Sequence, residues 1–105
     1  MASLSSSRPL KRLENSLTTS NLWLYVLSTL KKGDVYAYIL RDKIGKRFGW
    51  TPGLIISYIV LYKLENEGLI SSKFKGRRKY YSITGKGRSV LKDGKKLLSS
   101  LSKKL

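Results

Sequence analysis

At Gly68 the spacing of apolar residues switches from threes and fours to twos, and at Thr84 it switches back. Between the two switches Ile70, Ser72 and Phe74 share one face of an extended segment, and Lys79, Tyr81 and Ile83 share one face of the return. The turn that joins them, Lys75-Gly76-Arg77-Arg78, holds a glycine for the tight bend and three cations beside it. Outside this stretch the apolar pattern is helical throughout. A chain written this way is limited to a mainly α fold with one small β-hairpin, and the hairpin tip carries concentrated positive charge.

Before the hairpin, a helix is expected to begin where Thr18, Thr19 and Ser20 offer N-cap oxygens and to run through Leu22, Trp23, Leu24, Tyr25, Val26 and Leu27 to Leu30. Gly33 ends it. Apolar residues occupy more than one of its faces, so one core leaves some of them for another surface. Asp34 is expected to cap the next helix, with Val35, Tyr36, Ile39, Leu40, Ile44 and Phe48 as its apolar stripe and Arg41, Lys43, Lys46 and Arg47 as its polar side. After Gly49, Thr51 as N-cap and Pro52 at the first helical position open a third helix, 51–67, closed by Gly68. Two helices across a short glycine-bearing turn make a helix-turn-helix, and the hairpin behind them is a wing.

Thr84 caps a last helix in which Leu91, Gly94, Leu98, Leu101 and Leu105 recur at alternating intervals of three and four, a seam for pairing with another helix. Gly85, Gly87 and Gly94 each lower its intrinsic helicity by roughly 1 kcal/mol relative to Ala, so it requires a packing partner. At the other end, residues 2–15 combine Ser3, Ser5, Ser6 and Ser7 with Arg8, Lys11 and Arg12, which reads as a flexible basic arm. Pro9 followed by Leu10, Leu13 and Leu17 equally permits a short amphipathic helix. The expected organisation is an arm or short helix over 1–16, a winged helix-turn-helix domain over 17–84 and a dimerisation helix over 85–105.

With 105 residues and 41% apolar content the chain supports one core. Its 22 Lys and Arg against 6 Asp and Glu give a net charge of +16, and that self-repulsion favours a polyanionic partner: DNA, RNA or an anionic membrane. The longest apolar run, 54–62, is far short of the roughly 20 residues a spanning helix needs, so no membrane partner is expected. Residues 1–7 lack the apolar run of a signal peptide, which leaves the cytoplasm, in association with the nucleoid, as the expected location. There is no Cys and no His, so zinc sites and Cys/His or Ser/His nucleophile pairs cannot be built within one chain. The acids Glu14, Asp34, Asp42, Glu65, Glu67 and Asp93 are scattered among cations as solvated helix charges. No catalytic residue, metal or cofactor is expected, and an enzyme has no supporting motif.

Several strings, in order, resemble the PadR family of transcriptional regulators over about 22–101. Gly33-Asp34-Val35-Tyr36-Ala37-Tyr38-Ile39-Leu40 resembles that family's Gly-x-x-Tyr-Gly-Tyr-x-Ile segment. Leu61-Tyr62-Lys63-Leu64-Glu65-Asn66-Glu67-Gly68-Leu69-Ile70 resembles the close of its recognition helix, and Arg77-Arg78-Lys79-Tyr80-Tyr81-Ser82-Ile83-Thr84-Gly85-Lys86-Gly87 its wing return and entry to the last helix. The resemblance implies a cytoplasmic homodimer, paired through its first and last helices, that lays its third helix in the major groove and often represses transcription. One motif departs: where the family's recognition helix opens with Ser-x-Gly-Thr-Leu-Tyr, this chain reads Leu54-Ile55-Ile56-Ser57-Tyr58, so base-reading positions do not carry over.

For double-stranded DNA, the wing cations Lys73, Lys75, Arg77, Arg78 and Lys79 are expected on the backbone or an adjacent minor groove, the alternative being a solvated charged turn. Lys43, Lys46 and Arg47 either cross the backbone or form a solvated helix face, and Arg8, Lys11 and Arg12 either follow the minor groove or attract diffusely. In the third helix Thr51, Ser57, Tyr58, Tyr62 and Lys63 are the main polar groups, and Arg, Asn and Gln, the strongest base readers, are absent before Asn66. Leu54, Ile56, Val60, Leu61 and Leu64 read as core, and Ile55, Ile59 and Tyr62 as lying outside it, able to meet thymine methyls, sugars or a partner chain. Tyr36, Tyr38, Tyr80 and Tyr81 read as packing residues with hydroxyls at the rim, because a duplex offers no free base faces. The dimer interface is expected from Leu22, Trp23, Val26, Leu91, Leu98, Leu101 and Leu105. Trp23 has a second reading as the wall of a small-molecule effector pocket. Three nucleic-acid functions fit: a sequence-preferring regulator, an architectural or chromatin protein of low sequence specificity, and an RNA-binding module.

Overall fold

The computed structural model describes residues 7–105, so Ser3, Ser5 and Ser6 of the basic segment lie outside the described residues. Helix α1 spans Arg8–Ser16 with Pro9 in its first turn, where a missing N–H leaves no gap in the helix ladder. A 3-10 turn, Thr19–Asn21, leads into α2, Leu22–Leu30. The hydroxyl caps expected for α2 do not form. Thr18 Oγ1 instead donates back to the Glu14 carbonyl at 3.1 Å, and Asn21 takes the N-cap position, its Oδ1 accepting the Trp23 Nε1 proton at 3.2 Å.

The segment after Gly33 corrects the expected Asp34-capped helix. Val35–Tyr36 form a short strand, β1, and α3 begins only at Ala37, running over Ala37–Phe48. Val35 sits opposite Tyr81 and Tyr36 opposite Tyr80 in antiparallel register. The Tyr36 and Tyr80 rings meet edge to face at 5.5 Å, a pairing that suits aromatic and β-branched side chains on a strand better than on a helix. Gly49, at φ 79°, ends α3 in the left-handed conformation that glycine adopts without penalty.

Helix α4 spans Leu54–Asn66, two residues later than Thr51 as N-cap and Pro52 as first helical residue suggest. Both residues are engaged in docking the turn onto α3. A Cβ on Gly45 would fall 2.4 Å from Thr51 Oγ1, so the threonine packs where Gly45 leaves space. Arg41 Nε donates to the Pro52 carbonyl at 3.0 Å. Gly53 is therefore the N-cap, and Ser57 Oγ donates to its carbonyl at 2.7 Å.

Strands β2, Ile70–Lys75, and β3, Arg78–Ile83, pair antiparallel with Ile70 opposite Ile83 and Lys75 opposite Arg78. Sheet order is β1-β3-β2. Gly76, φ 63°, makes the turn between β2 and β3. Helix α5, Gly85–Lys104, follows at once, and Thr84 caps it by accepting the Gly87 N–H at 3.1 Å.

The core lies where α2 meets α3, α4, β3 and α5. Leu22, Val26, Leu27, Leu30, Leu40, Ile44, Leu61, Ile70 and Leu91 are all buried in it. This corrects the expected dimer surface in three places: Leu22, Val26 and Leu91 belong to the core of a single chain. Leu54 is corrected the other way, being 48% exposed at the mouth of α4. Two glycines of α5 mark close approaches. A Cβ on Gly87 would fall 2.1 Å from the Leu69 carbonyl oxygen, and one on Gly94 would fall 3.0 Å from the Trp23 ring.

Candidate nucleic-acid interface

The wing joins α4 through the shared core, where Ile70 and Tyr81 are buried with Leu61 and Leu64, and through one carboxylate. Glu65 accepts a hydrogen bond from Ser72 Oγ of β2 at 2.5 Å and lies 3.6 Å from Lys79 Nζ of β3. The hairpin therefore projects from the C-terminal half of α4 in one orientation. Lys73, Lys75, Arg77 and Arg78 are exposed along it and at its tip, and Lys79 is half-buried at the ion pair.

Three of these cations are steered by tyrosine faces. Arg78 lies 4.6 Å from the Tyr36 ring centroid, Lys75 lies 5.1 Å from Tyr80, and Lys79 lies 5.5 Å from Tyr81. Such contacts narrow the conformations of long side chains, and at Arg78 and Lys75 they do so without neutralising the charge. Lys73 and Arg77 extend into solvent. The tyrosines are thus props for the wing as well as packing residues: Tyr81 is buried, Tyr36 and Tyr80 half-buried. Burial pushes the Tyr81 phenol above the ordinary tyrosine value, the Lys79 charge opposing that shift. Tyr38 departs from the expected packing role, being 67% exposed on the first turn of α3.

On α3, Lys46 pairs with Asp42 at 3.0 Å. Arg47 stacks on Phe48 at 4.8 Å and donates to Ser28 Oγ of α2 at 3.1 Å. Lys43 is exposed. Phe48 in turn meets Tyr25 edge to face at 4.8 Å, and Tyr25 meets Trp50 at 5.0 Å, so the end of α3 is held by an aromatic cluster. Arg8, Lys11 and Arg12 are exposed on α1, which has no buried residue.

The outward face of α4 is formed by Ile55, Tyr58, Ile59 and Tyr62, all exposed, with Lys63 beside them and Asn66 at the far end. Ser57 is corrected: only 2% exposed, it faces the core and bonds within its own helix, and it cannot reach a ligand. Its spacing of four and seven residues to Leu61 and Leu64 is the sequence signal that points to the core side. Thr51 is exposed but precedes the helix. Phe74, expected on one face of the hairpin with Ile70 and Ser72, is 69% exposed near the tip and places an apolar group on the basic wing.

Along α5, Leu98, Leu101 and Leu105 are exposed, and so is Leu97, which the alternating-interval reading passed over. Trp23, half-buried, leans on Gly94 and lines an open groove of about 360 Å³ with Leu22, Val60 and Lys63. Among the described residues no group of three potential metal ligands is present, and no helix is long and apolar enough to cross a membrane.

A family model described as the transcriptional regulator PadR-like family matches residues 26–93. Among solved structures, a PadR family transcriptional regulator from Eggerthella lenta is 26% identical, with a TM-score of 0.78 over 90% of this chain and 87% of that one. A transcriptional regulator from Clostridium thermocellum is 25% identical, with a TM-score of 0.74 over 78% and 86%. Bacillus subtilis PadR, solved in complex with operator DNA, is 26% identical with a TM-score of 0.62, covering 72% of this chain and 47% of that one. No curated protein sequence matches the chain.

Proposed function

The chain belongs to the transcriptional regulator PadR-like family, and from that premise we propose that it regulates transcription by binding double-stranded DNA as a homodimer, most simply as a repressor. In this reading α4 enters the major groove, the wing cations Lys73, Lys75, Arg77 and Arg78 contact the backbone or the neighbouring minor groove, and Lys43 and Lys46 meet phosphates flanking α4. Leu98, Leu101 and Leu105, with Leu97, pair the last helices of two chains, and Trp23 lies beside that contact. Arg8, Lys11 and Arg12 add an electrostatic arm.

The observation that carries the reading is the Glu65 anchor, which ties a hairpin with an exposed cationic tip to an exposed helix face. Two elements so arranged meet adjacent grooves of one duplex. The protein acts without catalysis, in the cytoplasm. A second reading, an architectural protein of low sequence preference, is favoured by the lack of Arg, Gln or Asn on α4 before Asn66.

Selection of bound fragments from a random duplex pool by the full chain separates the two. A regulator yields a two-fold symmetric motif bound at least a hundredfold above background. Uniform recovery at moderate salt removes the regulator and leaves the architectural role, and preferential competition by RNA removes both.

A further inference from the structure

The face that α4 offers is unusual for a helix meant to read bases. Ile55 is 77% exposed, Tyr62 67%, Tyr58 51% and Ile59 43%, and the four fall on one side at spacings of three and four. Isoleucine has no hydrogen-bonding group, and a tyrosine hydroxyl cannot make the two-point contact by which Arg recognises guanine or Asn and Gln recognise adenine. Such an apolar stripe in water calls for an occupant. A second copy of the chain is a poor one, since Lys63 and the wing cations border the stripe and each copy carries +16. A polyanion that also presents apolar groups satisfies both features. The major groove does so at one place only, the C5-methyl of thymine.

We infer that α4 reads its site mainly through thymine methyls, with Ile55 and Ile59 as the methyl contacts and Tyr58 and Tyr62 beside them reaching acceptors on base edges or phosphates. Ile55 and Ile59 are one helical turn apart, about 6 Å along the axis. That span corresponds to about two base-pair steps of 3.4 Å, so each half-site should hold thymines roughly two steps apart. The inference rests on the proposed DNA-binding role and adds to it the chemistry of the preferred sequence.

The test uses the full chain and a duplex taken from the random-pool selection, resynthesised with deoxyuridine in place of thymidine at one position at a time. Uracil keeps every hydrogen-bonding group and removes only the methyl. Fluorescence anisotropy at fixed salt should show about three- to fourfold weaker binding for each contacted methyl removed, at two positions per half-site. In the variants Ile55→Ala and Ile59→Ala, folded by circular dichroism, the thymidine-to-uridine ratio at one of those positions should fall to near one while the salt dependence stays unchanged. If every uridine duplex binds as tightly as its parent while sequence preference persists, the methyl inference fails and the DNA-binding role stands. If no duplex binds, both fail. If Ile55→Ala or Ile59→Ala shifts the sedimenting species from dimer to monomer without DNA, the stripe belongs to a second copy and the inference is overturned.

Discussion

The carboxylate of Glu65, near the end of α4, lies 3.6 Å from Nζ of Lys79 on β3. Both side chains are partly exposed, so the ion pair itself contributes only about 0–1 kcal/mol. Its importance is geometric, because the same carboxylate accepts the Ser72 hydroxyl from β2 and so spans both strands of the hairpin. The helix proposed to enter one groove and the hairpin proposed to reach the next are thus tied by one side chain, in addition to their shared core and the Leu69 N–H bond to the Leu64 carbonyl at 2.9 Å.

Replacing Glu65 tests that role in an unusual direction. Glu65→Ala raises the net charge by one, which alone strengthens attraction to any duplex. Loss of the anchor should nevertheless reduce discrimination between a selected site and random DNA severalfold, with about 1 kcal/mol lost from folding stability. Competition binding against both duplexes measures it; an unchanged ratio would show that the wing is oriented by other contacts.

The two tip arginines should respond differently. Arg77 reaches solvent, whereas Arg78 stacks on Tyr36 at 4.6 Å. Arg77→Ala should flatten the log-log salt slope by about 0.9 without altering stability. Arg78→Ala should flatten the slope and also cost about 0.5–1 kcal/mol in stability through the lost ring contact. Salt titrations paired with thermal melts resolve the two, and slopes identical to the parent's would exclude the tip from phosphate contact.

Reading order along α5 predicts a graded response to polar substitution. Leu98→Ser with Leu101→Ser, both exposed positions, should turn a dimer into a folded monomer. Leu91→Ser should instead unfold the chain, since truncating a buried leucine costs about 2–5 kcal/mol even before a hydroxyl is introduced. Sedimentation and circular dichroism decide it, and an intact dimer in the double variant would move the interface away from this seam.

Much of this architecture could be read from residue order, because local chemistry and tertiary structure agree there. The hairpin register follows from the alternation of Ile70, Ser72 and Phe74 against Lys79, Tyr81 and Ile83, and Thr84 caps α5 as its position before Gly85-Lys86-Gly87 suggests. What escaped depended on partners distant in the chain. Val35 and Tyr36 look like a continuation of the α3 stripe until Tyr80 and Tyr81 are beside them. Thr51 and Pro52 carry every local signal of a helix start, yet contacts with Gly45 and Arg41 hold them outside α4. The seven-residue dimer surface divided for a related reason: periodicity shows that Leu22, Val26 and Leu91 face something apolar, but not whether that surface lies in the same chain. Ser57 has the spacing of the core residues Leu61 and Leu64, and only its hydroxyl argues for the surface.

Among the described glycines, Gly87 leaves the least room for a side chain against backbone. Its Cβ would lie 2.1 Å from the Leu69 carbonyl oxygen and 2.9 Å from an Ile83 carbon, at the junction of the hairpin with α5. Although Ala is the better helix former by about 1 kcal/mol, Gly87→Ala should destabilise the fold by about 1–3 kcal/mol through overpacking. Denaturant unfolding supplies the value, and a stabilised variant would mean that the junction relaxes easily.

Alkaline pH should weaken the fold through Tyr25. Burial raises this phenol above its ordinary value, and the hydroxyl donates to the Leu17 carbonyl. Because the folded form holds the proton more tightly, its contribution is complete below about pH 10, the unfolded tyrosine value, and is lost as pH climbs from there through the folded pKa. Melting temperature followed from pH 8 upward should fall less steeply above that point in Tyr25→Phe than in the parent, and equal slopes would assign the alkaline loss elsewhere.

From Lys95 onward every residue of α5 is exposed, so this half of the helix projects from the core rather than lying within it. In a dimer built on that projection, the helix works as a ruler between two reading heads. Sliding the mutual contact by seven residues changes the reach by about 10 Å, roughly three base pairs at 3.4 Å each. On the proposed reading, leucine placement on α5 sets the distance between half-sites independently of the bases that α4 meets.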